Sequence, residues 1–233
     1  MTIPESNLSH QDGKEEKEIR RTLGVLAERG AVIEVRTFGG GPTISGYFDN
    51  REVLVKAALG LERGGCQVYV TMNEVDPELM ARAANELVSH PQKTTSDADI
   101  LRRRWLLVDV DPVRPSGVSA TREEKKAARE KGKEIYKYLR KKGWPDPVVA
   151  DSGNGVQLLY MVDLQNDAES SELVKNILES LAFKFDDARA KVDMSVHNAA
   201  RLIRLYGTTN RKGDHTDERP HRRSKIKIRP KEV

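Results

Sequence analysis

The segment WLLVDVDP (105–112) sets the first limit on what this chain can fold into. It is a β-branched apolar run carrying two acids at alternate positions. Side chains alternate along a strand, so Asp109 and Asp111 project from one face near its end. Burying ionised carboxylates there is costly unless a positive charge neutralises them, and an oxygen-rich site of this kind suits Mg²⁺ or Mn²⁺. The same spacing also fits two strand-end acids facing water, with Pro112 stopping the strand. Asp-x-Asp occurs in glycosyltransferases and in chance loops as well.

Strand-like and helix-like stretches surround this segment. Ile19, Leu23 and Leu26 follow helical spacing between Lys14 and Arg29, with Gly30 as the stop. AVIEVRTF (31–38), the turn GGGP and TISGYF (43–48) predict a hairpin. Asn50 caps a helix carrying Val53, Val55, Ala58 and Leu59, and the strand CQVYVTM (66–72) follows a Gly-Gly break. Asp76-Pro77 opens a predicted helix PELMARAANELVS, and HPQKTTSDAD (90–99) reads as a connection. Thr121 and Glu124 have capping-box spacing ahead of a helix over 122–142, and Val174, Ile177, Leu178, Leu181 and Phe185 stripe another over 170–185. A mixed α/β protein with two modest lobes sharing a cleft is the expectation for 233 residues. Loose ends are expected over 1–13 and 226–233.

Charged residues are 33% of the chain and no apolar run reaches the roughly 18 residues of a membrane span. A cytoplasmic protein without membrane association is expected. Cys66 is the single cysteine, which excludes an internal disulfide and a cysteine zinc cluster.

Three further segments carry candidate chemistry. In DSGNGVQLLYMV (151–162) a glycine-rich turn joins two strands; Gly153 and Gly155 allow close backbone approach, and Ser152, Asn154 and Gln157 offer neutral hydrogen-bonding groups to phosphate oxygens. A plain hairpin turn accounts for the same glycines. KVDMSV (191–196) is read as a third β-like segment, with Asp193 on one face with Lys191 and Ser195. Beside the first strand it would complete three acids able to hold two metals. NAARLIRLYGTTNRKG (198–213) then supplies Arg201, Arg204, Arg211 and Lys212, and the end of the chain supplies Arg222, Arg223 and Lys225. These cations suit phosphates, or a solvated face.

In this order the segments resemble the archaeo-eukaryotic primase superfamily, and within it the bacterial and phage bifunctional primase-polymerase (prim-pol) domain. LLVDVDP, SGNGVQLLY and KVDMSV followed by ARLIRLYGT stand where that family has its D-x-D, S-x-H and hydrophobic-D motifs. VYVTMNEVDP and TTSDADILRRRWLLVDVDP share its look. The resemblance implies a catalytic domain over 14–225, divided into an N-terminal α/β lobe (14–95) and an RRM-like catalytic lobe (96–225). It implies a DNA primase or polymerase that adds dNTPs or NTPs on a single-stranded DNA template and primer by a two-metal mechanism, alongside a helicase or accessory primase domain in cis or in trans. Asp109, Asp111 and Asp193 would hold Mg²⁺ or Mn²⁺. Ser152, Asn154, Gln157, Arg201, Arg204 and Lys212 would contact nucleotide, and Arg211, Arg222, Arg223 and Lys225 nucleic acid. Gln157 departs from the pattern, standing where the family has histidine; an amide can donate to phosphate but carries no proton charge. The other readings are a non-catalytic nucleic-acid-binding replication protein and a metal-dependent nuclease.

Overall fold

The hairpin expected near the N-terminus is the seed of the first sheet. The structure, a computed structural model, describes residues 5–39 and 41–231, with residues 5–12 described in backbone only. Helix α1 (Glu5–Leu26) leads into β1 (Ile33–Phe38) and β2 (Ile44–Phe48), which pair antiparallel. The Asn50 side chain accepts from the amides of Glu52 and Val53 and so starts α2 (Arg51–Arg63), before β3 (Gln67–Thr71) returns beside β1. After a 3₁₀ turn (Pro77–Arg82), β4 (Val88–Ser89) pairs with β2.

The second half begins with β5 (Arg102–Pro112), then α3 (Arg122–Lys141), β6 (Val148–Asp151), β7 (Val156–Gln165), α4 (Ala168–Phe185) and β8 (Ala190–Val192). The Thr121–Glu124 capping box fixes the start of α3. Short strands β9 (Leu202–Arg204), β10 (Thr209–Asn210), β11 (Arg222–Arg223) and β12 (Lys225–Ile228) complete the chain. One five-stranded sheet has the order β4-β2-β1-β3-β9, the other β12-β6-β7-β5-β8, and every pair is antiparallel. From β5 to β8 the chain traces a split β-α-β-β-α-β unit.

A Cβ on Gly132 of α3 would lie 2.4 Å from Val156 Cγ1, so glycine there lets α3 settle directly on β7. Val110 and Val156 are partners across β5 and β7, and alternation turns their neighbours Asp109 and Gln157 to the face away from α3. Toward that face lies α1, tied to β5 by the Trp105 indole donating to Leu26 O at 3.1 Å. One apolar core takes side chains from both sheets, among them Val35, Val70, Leu107, Leu159 and Ile203.

Five expectations are corrected. The loose start gives way to α1, which reaches back to Glu5; nothing after Pro4 interrupts a helix, and residues 1–4 lie outside the described residues. The loose end gives way to β12, whose Ile226 is buried opposite Ala150 of β6, while residues 232–233 lie outside the described residues. The helix expected from Pro77 is a 3₁₀ segment that ends at Arg82, because Ala83 is extended and Asn85 takes a positive φ of 54° as the chain pairs with Tyr47. KVDMSV is a strand only to Val192; Asp193 caps a 3₁₀ turn over Met194–His197. A boundary at residue 95 does not separate the sheets either, since β9 crosses back to pair with β3.

Candidate active site

Asp109 sits opposite Gln157 across β5 and β7. The Gln157 amide donates to Asp109 Oδ2 at 2.9 Å, and the Tyr206 hydroxyl donates to Gln157 Oε1 at 2.7 Å. Tyr206 is fully buried, and burial together with the Asp109 charge holds its phenol well above the ordinary tyrosine range, so it remains a donor. Asp109 Oδ1 is buried with no hydrogen-bonding partner. Burial, then the charge of Asp111 and more weakly that of Asp193, push the Asp109 carboxyl up to about 7, against the Gln157 hydrogen bond and Arg201, which act to lower it.

Asp193 reaches the same place by a different route. Its amide donates to Asp109 O at 2.8 Å, which locks the start of the 3₁₀ turn against β5. Its Oδ1 accepts from Ser195 N and Oγ at 2.8 and 2.7 Å, and its Oδ2 lies 3.6 Å from Arg201 Nη2. Asp111 is more open and lies 3.5 Å from Arg114 Nη1. A Cβ on Gly155 would meet Val110 O at 2.3 Å and Asp111 Oδ1 at 2.7 Å, so glycine is what allows β7 to start against the acidic end of β5.

The three acids are electrostatic neighbours, yet among the described residues no three His, Cys, Asp or Glu side chains converge on a single ion position. Asp193 is turned to Ser195 and Asp111 toward Arg114. The donor set still fits a hard cation: all its ligating atoms are oxygens, and the buried Oδ1 of Asp109 has no hydrogen-bond partner.

The remaining sequence candidates divide. Arg201 lies at the acids and lines a cavity of about 520 Å³. Ser152 Oγ accepts from Gly155 N at 3.0 Å, and Asn154 is buried with its Oδ1 accepting from Ala120 N at 2.9 Å, so both side chains hold the glycine turn and the segment before α3. Gly153, with φ of 98°, takes a backbone conformation open to glycine. Arg204 is buried, donates to Tyr69 Oη at 2.6 Å and Gln67 Oε1 at 2.8 Å, and packs over the Tyr69 ring at 4.6 Å. Arg211 forks onto both carboxylate oxygens of buried Glu62 at 2.9 Å. Arg222 donates to Ala120 O at 2.6 Å, and Arg223 pairs with Glu15. Lys212 and Lys225 are exposed, Lys225 opposite Asp151. His197 turns Nδ1 to Met194 O at 3.0 Å, one turn from Asp193. Tyr206 is the participant that sequence reading missed, because nothing in LYGTT distinguishes a hydroxyl aimed at Gln157 from an ordinary core tyrosine.

No family model matches the chain, and no curated protein matches it. Among solved structures it is similar to the crystal structure of primase RepB′, with a TM-score of 0.52 and 17% sequence identity over 92% of this chain. The fold is therefore primase-like: mixed α and β, built on antiparallel sheets. The chain spans 56% of the length of that structure's chain.

Proposed function

We propose that the chain is a nucleotidyltransferase of the prim-pol kind within the archaeo-eukaryotic primase superfamily, with a two-lobed core whose β5-to-β8 unit is its RRM-like catalytic half. The observation that carries this reading is the half-buried Asp109 carboxylate, whose Oδ1 is itself buried and unpartnered, with Asp111 and Asp193 beside it. Clustered carboxylates repel a polyanion, so they suit a nucleic-acid enzyme only when cations sit between. Asp109, Asp111 and Asp193 would hold Mg²⁺ or Mn²⁺, which supplies charge neutralisation for an attacking 3′-hydroxyl and a departing pyrophosphate. The likeness to a primase fold supports the same assignment.

The chain's own residues do the positioning. Gln157, fixed by Tyr206, orients the Asp109 carboxylate; the Asp193 amide, bonded to Asp109 O, keeps the third acid in register. Arg201, 3.6 Å from Asp193, is placed to exchange that carboxylate for a triphosphate oxygen. Lys212 is exposed and free to follow a phosphate. Single-stranded DNA template and primer with dNTPs or NTPs are the proposed substrates, and a helicase or accessory primase domain is a proposed partner.

The test is extension of a labelled primer on a single-stranded template with Mg²⁺ or Mn²⁺, with dNTPs and NTPs separately. Asp109→Ala combined with Asp111→Ala is expected to fold and to lose extension by at least ~10³-fold, the scale of a lost charge clamp. Equal extension by this variant would overturn the assignment; template shortening in place of extension would point to a nuclease, and binding without either to a non-catalytic nucleic-acid-binding protein.

A further inference from the structure

Beyond the acids, the outer face of the first sheet carries an aromatic and cationic row that the reaction chemistry does not use. Arg36 of β1 lies directly across from Tyr69 of β3, and Tyr69 directly across from Arg204 of β9. Their chain neighbours Val35, Val70 and Ile203 fill the core, so alternation places this row on the opposite face. Phe38, two residues along β1, packs edge-on to Tyr69 with ring centroids 5.3 Å apart. Phe38 nevertheless remains 43% exposed at the end of its strand, an open ring rimmed by charge.

The row is rigidly supported. Buried Glu34 accepts from Arg36 Nε at 2.8 Å and Nη2 at 2.6 Å, and it also accepts from Ser45 Oγ and Thr95 N. Arg36 is held in this way with its guanidinium carbon 6.0 Å from the Phe38 ring centre, while Arg204 lies over Tyr69 from the other side. A cavity of about 520 Å³ runs along this face from Arg201, which touches Asp193, past Tyr69 to Phe38. A second, of about 410 Å³, continues from Phe38 and Arg36 toward Thr43, His90 and Thr94. The two share Arg36 and Phe38, so a groove leads from Arg201, the ion-pair partner of Asp193, across the exposed ring.

We propose that this groove is the seat of the single-stranded template, with an unpaired base stacked on Phe38 against Tyr69 and the backbone passing Arg36 and Arg201. The inference deepens the nucleotidyltransferase reading and rests on it for the word template; the groove itself requires only a single strand. A stacking platform accepts any base through its π-face and excludes a duplex, whose bases are already stacked. Two cavities meet at Phe38, one on each side of the ring, which favours a strand over a single incoming triphosphate.

The test compares wild type with Phe38→Ala and Phe38→Trp, reading anisotropy of a fluorescein-labelled oligothymidylate and, separately, binding of Mg²⁺-dATP. Phe38 is half open to solvent, so neither change threatens the core. Phe38→Ala is expected to weaken oligonucleotide binding about 5- to 100-fold with its salt dependence unchanged, Phe38→Trp to retain it, and dATP binding to stay as in wild type. Oligonucleotide binding by Phe38→Ala equal to wild type overturns the platform, and so does a matching loss of dATP binding, which would make the groove the nucleotide's own pocket. Wild-type primer extension beside an unaffected Phe38→Ala sinks the platform alone. Phe38-dependent strand binding by a chain that extends no primer keeps the platform and removes only the polymerisation reading.

Discussion

Replacing Asp109 by asparagine is expected to stabilise the metal-free protein at neutral pH while removing its activity. Burial and the carboxylates of Asp111 and Asp193 raise Asp109 from 3.8 to about 7. A rise of about three units, at roughly 1.36 kcal/mol each, is a folding penalty approaching about 4 kcal/mol once the group is forced to ionise. The folded value lies above the unfolded one, so the fold favours the protonated acid. Its contribution is complete below the unfolded value near 4 and is lost as pH rises through about 7. Between pH 5 and pH 8 wild type should therefore lose roughly 2–3 kcal/mol that Asp109→Asn does not lose, because the amide keeps an oxygen for Gln157 and never ionises. In a chain of this length that corresponds to a difference of about 5–10 °C in Tm. Urea unfolding with a chelator present, at both pH values, measures it directly. Adding Mg²⁺ at pH 8 should recover the loss in wild type and leave the variant unmoved. Parallel stability profiles for the two proteins from pH 5 to pH 8 would refute the argument that Asp109 is held at the expense of stability.

Two further substitutions separate architecture from chemistry. Arg211→Ala leaves the Glu62 carboxylate, 3% exposed, with the Thr209 amide as its hydrogen-bond donor among the described residues; the expected cost is about 3–5 kcal/mol in urea unfolding, with no change in the salt dependence of single-strand binding. Gly155→Ala drives a Cβ to 2.3 Å from Val110 O and 2.7 Å from Asp111 Oδ1; a stability loss of about 1–3 kcal/mol is expected, with primer extension falling further than unfolding at the assay temperature accounts for.

The elements that sequence alone exposed are those in which local chemistry and burial agree. Asn50 and the Thr121–Glu124 pair mark helix starts through bonds to their own backbone, and WLLVDVDP alternates as a strand must. Sequence failed where distant contacts decide. Residues 83–89 have helical composition, yet they serve as an edge for β2, with the Tyr47 amide donating to Ala83 O and the Asn85 amide donating to Tyr47 O. Just past the end of β8, Asp193 is the last residue there to bond β5, through its amide to Asp109 O, and its carboxylate then turns the chain by accepting from Ser195 N. The arginines of 198–213 looked alike in spacing, but Arg201 faces Asp193, whereas Arg204 and Arg211 are spent on Tyr69 and Glu62 from residues more than a hundred positions earlier. Such allocations follow from which buried acid or ring lies nearest, and periodicity carries no record of them.

The polar line from Tyr206 through Gln157 to Asp109 gives the amide at position 157 a fixed orientation. A buried phenol kept protonated must donate, so it claims the amide oxygen and turns the Nε2 hydrogens to Asp109. That orientation favours the ionised carboxylate, the form a cation needs, against a site whose burial favours the protonated one. Gln157 itself does not titrate, and the Tyr206 phenol titrates far above neutrality. Between pH 5 and pH 8 the line therefore contributes a fixed bias, and the change in charge along it belongs to Asp109. On the proposed reading, a cation held at the unpartnered Oδ1 would complete what the amide begins, displacing the proton that the metal-free fold prefers. Metal affinity should accordingly rise with pH up to about 7 and level off above it.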